Sequence, residues 1–273
     1  MQIGGREFDL ANGCYIMGIL NVTPDSFSDG GKWDTLDSSL KHAQDMADSG
    51  ADIIDVGGES SRPGHEKISA GEELDRILPV IEAIRSRIDV PISIDTCKSE
   101  VAQAALNAGA HLVNDIWGLK SDAEMAAVIA RAAVPCCLMH NRTNMDYKDF
   151  MTDMLDDMRE VLKAAKKAGI ADDKIIIDPG IGFAKTHEMN LEAINRLDEL
   201  KALGYPVLLG ASRKRVVGLT LDLPVEERVE GSLAAAVVGL VRGCSIIRVH
   251  DVKETFRAVE MTQAILGRRG CNG

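Results

Sequence analysis

Short apolar runs and amphipathic stretches alternate along nearly the whole chain. The runs 14–20, 52–56, 90–95, 111–114, 134–139, 174–178, 206–210 and 244–249 are the length of buried strands. Between them, apolar residues recur at helical spacing: Leu36, Leu40, Ala43 and Met46 share one face, and Gly50 ends that helix. Ser69 with Glu72 forms a capping box ahead of Leu74, Ile77, Leu78, Ile81 and Ile84, and Pro79 predicts a kink or local break. Further helices are expected over 99–108, 122–133, 149–168, 190–203 and 252–267, with a helical region over 213–242 interrupted near Leu223 and Pro224. Residues 3–13 predict a hairpin that closes the bottom of the sheet.

Eight strand–helix units in one chain are the count of an α/β (β/α)8 TIM barrel forming a single domain over 1–273. A doubly wound sheet is the alternative, but no Gly-x-Gly-x-x-Gly turn follows the first strand. Two long polar connections stand out from the rest, 21–33 and 57–64, and such loops usually carry function.

Composition narrows the class. The chain has 273 residues, 45% hydrophobic and 27% charged, with a net charge of −11. That charge argues against general nucleic-acid binding, which needs excess Lys and Arg. No apolar run is long enough to span a membrane and the N-terminus has no signal pattern, so a cytoplasmic protein with no membrane partner is expected. The six cysteines include no Cys-x-x-Cys pair, and Cys136 and Cys137 should face opposite sides of a strand.

The strands end on chemistry. Asp95, Asn114 and Asp178 each follow an apolar run, and in parallel barrels the C-terminal strand ends surround the active site. Each alone could be an ordinary strand-ending polar residue. Together they suit a flat heterocycle with an amidine-like edge, since a carboxylate accepts two parallel hydrogen bonds. GASRKR at 210–215 puts Ser212, Arg213 and Lys214 before a helix, and Arg248 and His250 share a face at the end of the last strand. These two stretches read as an anion site. The loop 21–31 supplies oxygen ligands suited to Mg2+, and 57–64 adds hydroxyls, including Ser61, beside Arg62, although either composition taken alone better fits an ordinary solvated turn. His140 ends the fifth strand and could line the same mouth.

At these residues the sequence resembles the dihydropteroate synthase family. The matching stretches are MGILNVTPDSFSDGG at 17–31, IIDVGGESSRPG at 53–64, ISIDTCK at 92–98, LVNDIWG at 112–118, DPGIGFAKT at 178–186, GASRKR at 210–215 and IIRVHDV at 246–252. The resemblance implies a homodimeric transferase of folate synthesis that joins 6-hydroxymethyl-7,8-dihydropterin diphosphate to 4-aminobenzoate and is a sulfonamide target. It implies that Asp178, Asn114 and Asp95 hold the pterin, with Ile116 packed beside it and Lys214 at its polar edge. Arg248, His250 and Ser61 would hold the diphosphate, and Asn21 its Mg2+. The loops 21–33 and 57–69, with Ser212 and Arg213, would shape the aminobenzoate pocket. Position 61 is Ser where many relatives have Thr. Position 215 is Arg where many have Ser, at a place where the family contacts the aminobenzoate carboxylate, and 140–147 matches only loosely.

The expected chemistry is dissociative substitution, with Asp95, Lys214, Arg248 and His250 as the catalytic groups. A corrinoid-linked methyltransferase and a non-catalytic pterin binder share the barrel and pterin residues. The methyltransferase has no need of the diphosphate and aminobenzoate loops, and both are present here.

Overall fold

The computed structural model describes residues 1–23, 32–59 and 67–268. After a hairpin of β1 (Gln2–Ile3) and β2 (Arg6–Glu7), eight parallel strands follow in the order expected of the barrel. They are β3 (Tyr15–Asn21), β4 (Ile53–Gly57), β5 (Ile92–Asp95), β6 (Leu112–Asp115), β7 (Cys136–Met139), β8 (Ile175–Asp178), β9 (Leu208–Leu209) and β10 (Ile246–Val249). Each pairs with its neighbour in sequence, and β10 returns to β3. The last seam, between β8 and β9, is a single bridge from Ile177 to Val207, with the Ile177 amide donating to Pro206 O at 3.0 Å. Pro206 has no N–H to extend a ladder, which accounts for the short β9.

The helices are α1 (Lys32–Asp48), α2 (Ala70–Arg87), α3 (Ser99–Ala108), α4 (Met125–Ala132), α5 (Phe150–Lys167), α6 (His187–Asn195), α7 (Leu197–Lys201), α8 (Arg215–Leu221), α9 (Val229–Val241) and α10 (Val252–Ile265). Two differ from expectation. α2 runs through Pro79 without a break, because Pro79 lies on its solvent face, where water can serve the freed carbonyl. The helix expected over 190–203 begins earlier, since the Thr186 hydroxyl caps Met189 N, and divides at Arg196, which leaves helical geometry at φ −109° and ψ 27°. The expected interruption near Pro224 separates α8 from α9.

Strand alternation divides the apolar side chains into two cores. Outward residues such as Ile54, Val113, Cys136, Ile177 and Val249 pack under the helices. Inward residues Met17, Ile53, Leu112, Cys137, Ile176, Leu208 and Ile246 fill the barrel, and Ile3, Phe8 and Leu10 of the hairpin close its lower end. Cys136 and Cys137 therefore do face opposite sides. The hairpin turns on Gly4 and Gly5, both at positive φ, which a two-residue turn of this hand requires. With the bottom sealed, the polar inward positions collect at the other end.

Candidate active site at the mouth of the barrel

Three strand ends deliver Asp95, Asn114 and Asp178 to one place, all buried. Register aligns Gly57, Asp95 and Asn114 across three neighbouring strands. Alternation turns the next residue, Asp115, outward, where its carboxylate accepts from Trp117 N at 2.9 Å and Leu119 N at 2.6 Å. Of the Asn–Asp pair, the amide enters the site and the carboxylate caps a turn.

Arg248 lies between two carboxylates. Its Nε donates to Asp55 Oδ2 at 2.6 Å and its Nη2 to Asp95 Oδ2 at 2.6 Å. Asn114 Nδ2 donates to the same Asp55 oxygen at 3.1 Å, so the amide oxygen is the end left to accept from a ligand. Burial pushes Asp95 up to about 7, although Arg248 pulls the other way; Asp55 and Glu73 add to the rise. Burial opposes the charge on Arg248, yet Asp55 and then Asp95 hold it above its ordinary value. Asp55 was not among the residues expected here. The signal was present, an ionisable residue inside the apolar run Ile53-Ile54-Asp55-Val56, on the inward face that Ile53 also occupies.

Lys214 approaches from the turn before α8. Its Nζ donates to Ile181 O at 2.6 Å and stands 4.9 Å from the centre of the Phe183 ring. Burial lowers Lys214 to about 8, against the attraction of Asp178. Asp178 is raised by burial, with Lys214 the largest influence in the other direction, and its Oδ1 accepts from Gly180 N at 2.7 Å. Gly180 has φ +70°, and a Cβ there would come within 2.0 Å of His140 O, so the turn admits glycine alone.

The rest of 210–215 is bolted in place. Ser212 Oγ lies 3.1 Å from His250 Nδ1 and accepts from His250 N at 3.2 Å. Arg213, expected beside the aminobenzoate, pairs with Asp251 through Nε, at 2.9 Å, and Nη2. Arg228 Nη1 donates to Arg213 O at 3.0 Å, which fixes that residue at φ +55°. Arg215 is exposed at the start of α8. The anion site expected of this stretch therefore contracts to Ser212, Lys214, His250 and whatever Arg248 leaves free.

Asn21 ends β3 opposite Gly57. Its Oδ1 is 3.7 Å, and Asp95 Oδ2 3.8 Å, from the point where a Cβ on Gly57 would sit. Glycine thus keeps a space open between two hard oxygen donors. Ile116 follows β6 and its carbonyl accepts from Asn141 Nδ2 at 3.1 Å. His140 turns away from the mouth, onto Asp157 and Lys185. Ser61 and Arg62, with most of both long loops, lie outside the described residues.

Residues 17–250 match the family described as pterin binding enzyme. The chain is 56% identical to the dihydropteroate synthase of Clostridium beijerinckii over 98% of this chain and 100% of that one. A crystal structure of the Clostridium difficile dihydropteroate synthase in the presence of pteroic acid superposes with a TM-score of 0.94 at 50% identity, covering 96% of this chain and 100% of that chain. One from Xanthomonas albilineans with 4-aminobenzoic acid gives 0.93 at 40% identity, covering 98% of each. The chain therefore belongs to the pterin-binding enzymes, in the dihydropteroate synthase family of transferases.

Proposed function

We propose that this enzyme condenses 6-hydroxymethyl-7,8-dihydropterin diphosphate with 4-aminobenzoate and releases diphosphate. The observation that carries the reading is the acceptor-rich edge made by Asp95, Asn114 and Asp178 beside the Lys214 ammonium. A reduced pterin offers N–H donors along its amidine edge and a carbonyl oxygen next to them. The carboxylates and the Asn114 oxygen accept from the former, and Lys214 donates to the latter. The Phe183 ring beside Lys214 gives an aromatic acid an apolar face to pack on.

The donor set around Gly57 suits Mg2+, which keeps water and phosphate oxygens and takes few protein ligands. Asn21 would hold it, and the bound ion would neutralise negative charge on the departing diphosphate. His250, just past the end of β10, which pairs with β3, and Ser212 beside it stabilise the same negative charge. Departure leaves an electron-poor methylene whose positive charge is shared with the pterin ring that the Asp95 carboxylate holds, and the arylamine attacks it without needing a strong base, losing its surplus proton to water. Diphosphate release on mixing both substrates tests the reading. A methyltransferase or a non-catalytic binder would release none.

Pterin binding should depend on pH through Asp95. A protonated carboxyl cannot accept two N–H donors, and the ionised form prevails only above about 7. Affinity should therefore fall as pH drops through that value, with a proton released on binding below it. Calorimetry in buffers of different ionisation heat measures both quantities. Affinity that is flat a unit either side would remove Asp95 from the contact.

We also propose a homodimer built on α9 and α10. α9 is apolar on nearly every side, yet Ala234, Val238 and Val241 face solvent at helical spacing, and α10, which packs against α9, exposes Met261 and Ile265. A second copy of the chain is the cover that makes such a face self-complementary. Val238→Asp with Ile265→Lys should sediment as a monomer. A variant still sedimenting with the parent would move the interface elsewhere.

A further inference from the structure

Behind the turn that follows β8 lies a buried polar chain that no step of the transfer uses. The Lys185 side chain is 8% exposed, and its Nζ reaches three acceptors: His140 Nδ1 at 2.9 Å, Phe183 O at 3.0 Å and Gly180 O at 3.1 Å. An ammonium has three donors and no acceptor, so all three are matched. His140 Nδ1 must then accept. The ring proton sits on Nε2 and points at Asp157 Oδ2, 2.9 Å away on α5. Asp157 also receives Arg142 Nε at 2.5 Å, and the Tyr147 hydroxyl donates to Ala184 O at 3.0 Å. The segment 140–147, which matches the family loosely, is thus the wall on which this turn leans.

The other side of the turn is the site itself. Gly180 N bonds Asp178, Ile181 O receives Lys214, and the Phe183 ring lies against the same ammonium. We propose that Lys185 is a positioning residue for the transfer: it draws the Gly180 and Phe183 carbonyls onto the His140 ring, so that Asp178, Ile181 and Phe183 keep their places around Lys214. The proposal rests on the dihydropteroate synthase reading for the reaction, though not for the geometry.

The proton arithmetic explains why His140 and Asp157 accompany the lysine. Burial brings Lys185 down to about 7; Asp178 opposes this, Lys214 and Arg142 reinforce it, and Asp157 again favours the charge. Burial also brings His140 down to about 4, so its ring is neutral near pH 7 and free to accept. A neutral amine keeps two N–H bonds, enough for the two carbonyls. It could keep the third contact only if His140 moved its proton to Nδ1, which would cost Asp157 the His140 bond and leave it that of Arg142. Asp157, through the His140 tautomer and its own charge, therefore favours the charged form of Lys185.

Two full-length variants test this. Lys185→Met should lower kcat/KM about a hundredfold, as a displacement of bound substrate does, with the loss mainly in KM. The 15N spectrum of His140 should show Nε2–H with a hydrogen-bonded Nδ1 in the parent and an unbonded Nδ1 in the variant. Asp157→Asn keeps the lysine but should move its titration, read at the 13Cε carbon, to lower pH. Parental kcat/KM in Lys185→Met overturns the proposal, as does an Nδ1–H tautomer in the parent. Should Lys185→Met not fold, Asp157→Asn decides: an unmoved Lys185 titration with unmoved KM overturns the proposal. The spectra stand apart from turnover. A parent that releases no diphosphate but shows the Nε2–H tautomer counts against the reaction, not against the lysine's place.

Discussion

Arg248→Met should destabilise the enzyme by about 3–5 kcal/mol, the cost of removing one partner from a buried ion pair. Two carboxylates lose their cation at once, Asp55 with no exposed surface and Asp95 nearly none. Against a typical total of about 5–15 kcal/mol, the variant should fold with little to spare. The sign of its pH dependence follows from Asp95. That carboxyl already titrates at about 7 in the folded chain, above its unfolded value, so stability declines as pH rises toward it. Without Arg248 the folded value climbs further, and the deficit should be larger well above pH 7 than well below it. Urea unfolding at both pH values measures the difference. A deficit independent of pH would mean that the carboxylates find another partner. Arg248→Lys separates charge from shape, because a lysine cannot engage Asp55 and Asp95 together as the planar guanidinium does. It should retain more stability than the methionine variant and still lose turnover, by on the order of a hundredfold.

Asp178→Ala should weaken pterin binding by about 1.5–3 kcal/mol, roughly ten- to a hundredfold or somewhat more, the range for hydrogen bonds to a charged group. The side chain is buried beside Lys214, and its loss also removes the strongest influence keeping that lysine charged. Lys214 should then titrate below its present value of about 8. Because Asp178 Oδ1 also receives Gly180 N, the alanine could disturb the turn. Asp178→Asn keeps an oxygen for that bond while losing the charge, and should show most of the same loss. Calorimetry with a diphosphate-free pterin is the measurement. Parental affinity in either folded variant would assign the pterin edge to other residues.

The mouth residues were legible because a parallel barrel converts a local pattern into a place. An apolar run ending on a polar residue is a strand ending at the C-terminal face, and that suffices to bring Asp95, Asn114 and Asp178 together. Strand period also separated Cys136 from Cys137, and the hairpin expected over 3–13 is present at the closed end, with its two strands at Gln2–Ile3 and Arg6–Glu7. Helix boundaries were less secure. Whether Pro79 breaks α2 depends on which side meets solvent, and Thr186 begins α6 through a cap that apolar spacing does not record.

What the sequence by itself determined is the barrel, its order and the identity of most groups at its mouth, since these follow from periodicities of two and 3.6 residues read within short windows. Partners were decided only in three dimensions. Arg248 meets Asp55 across 193 residues and Asp95 across 153, and Arg213 turns to Asp251 across 38. No local pattern distinguishes a cation that awaits a phosphate from one already held by carboxylates. Lys185 makes the same point: in sequence it is one basic residue in a Gly-rich turn, and its three bonds exist because β7, β8 and α5 converge behind that turn. Register and packing set those distances, and both are properties of the closed barrel rather than of any segment in it.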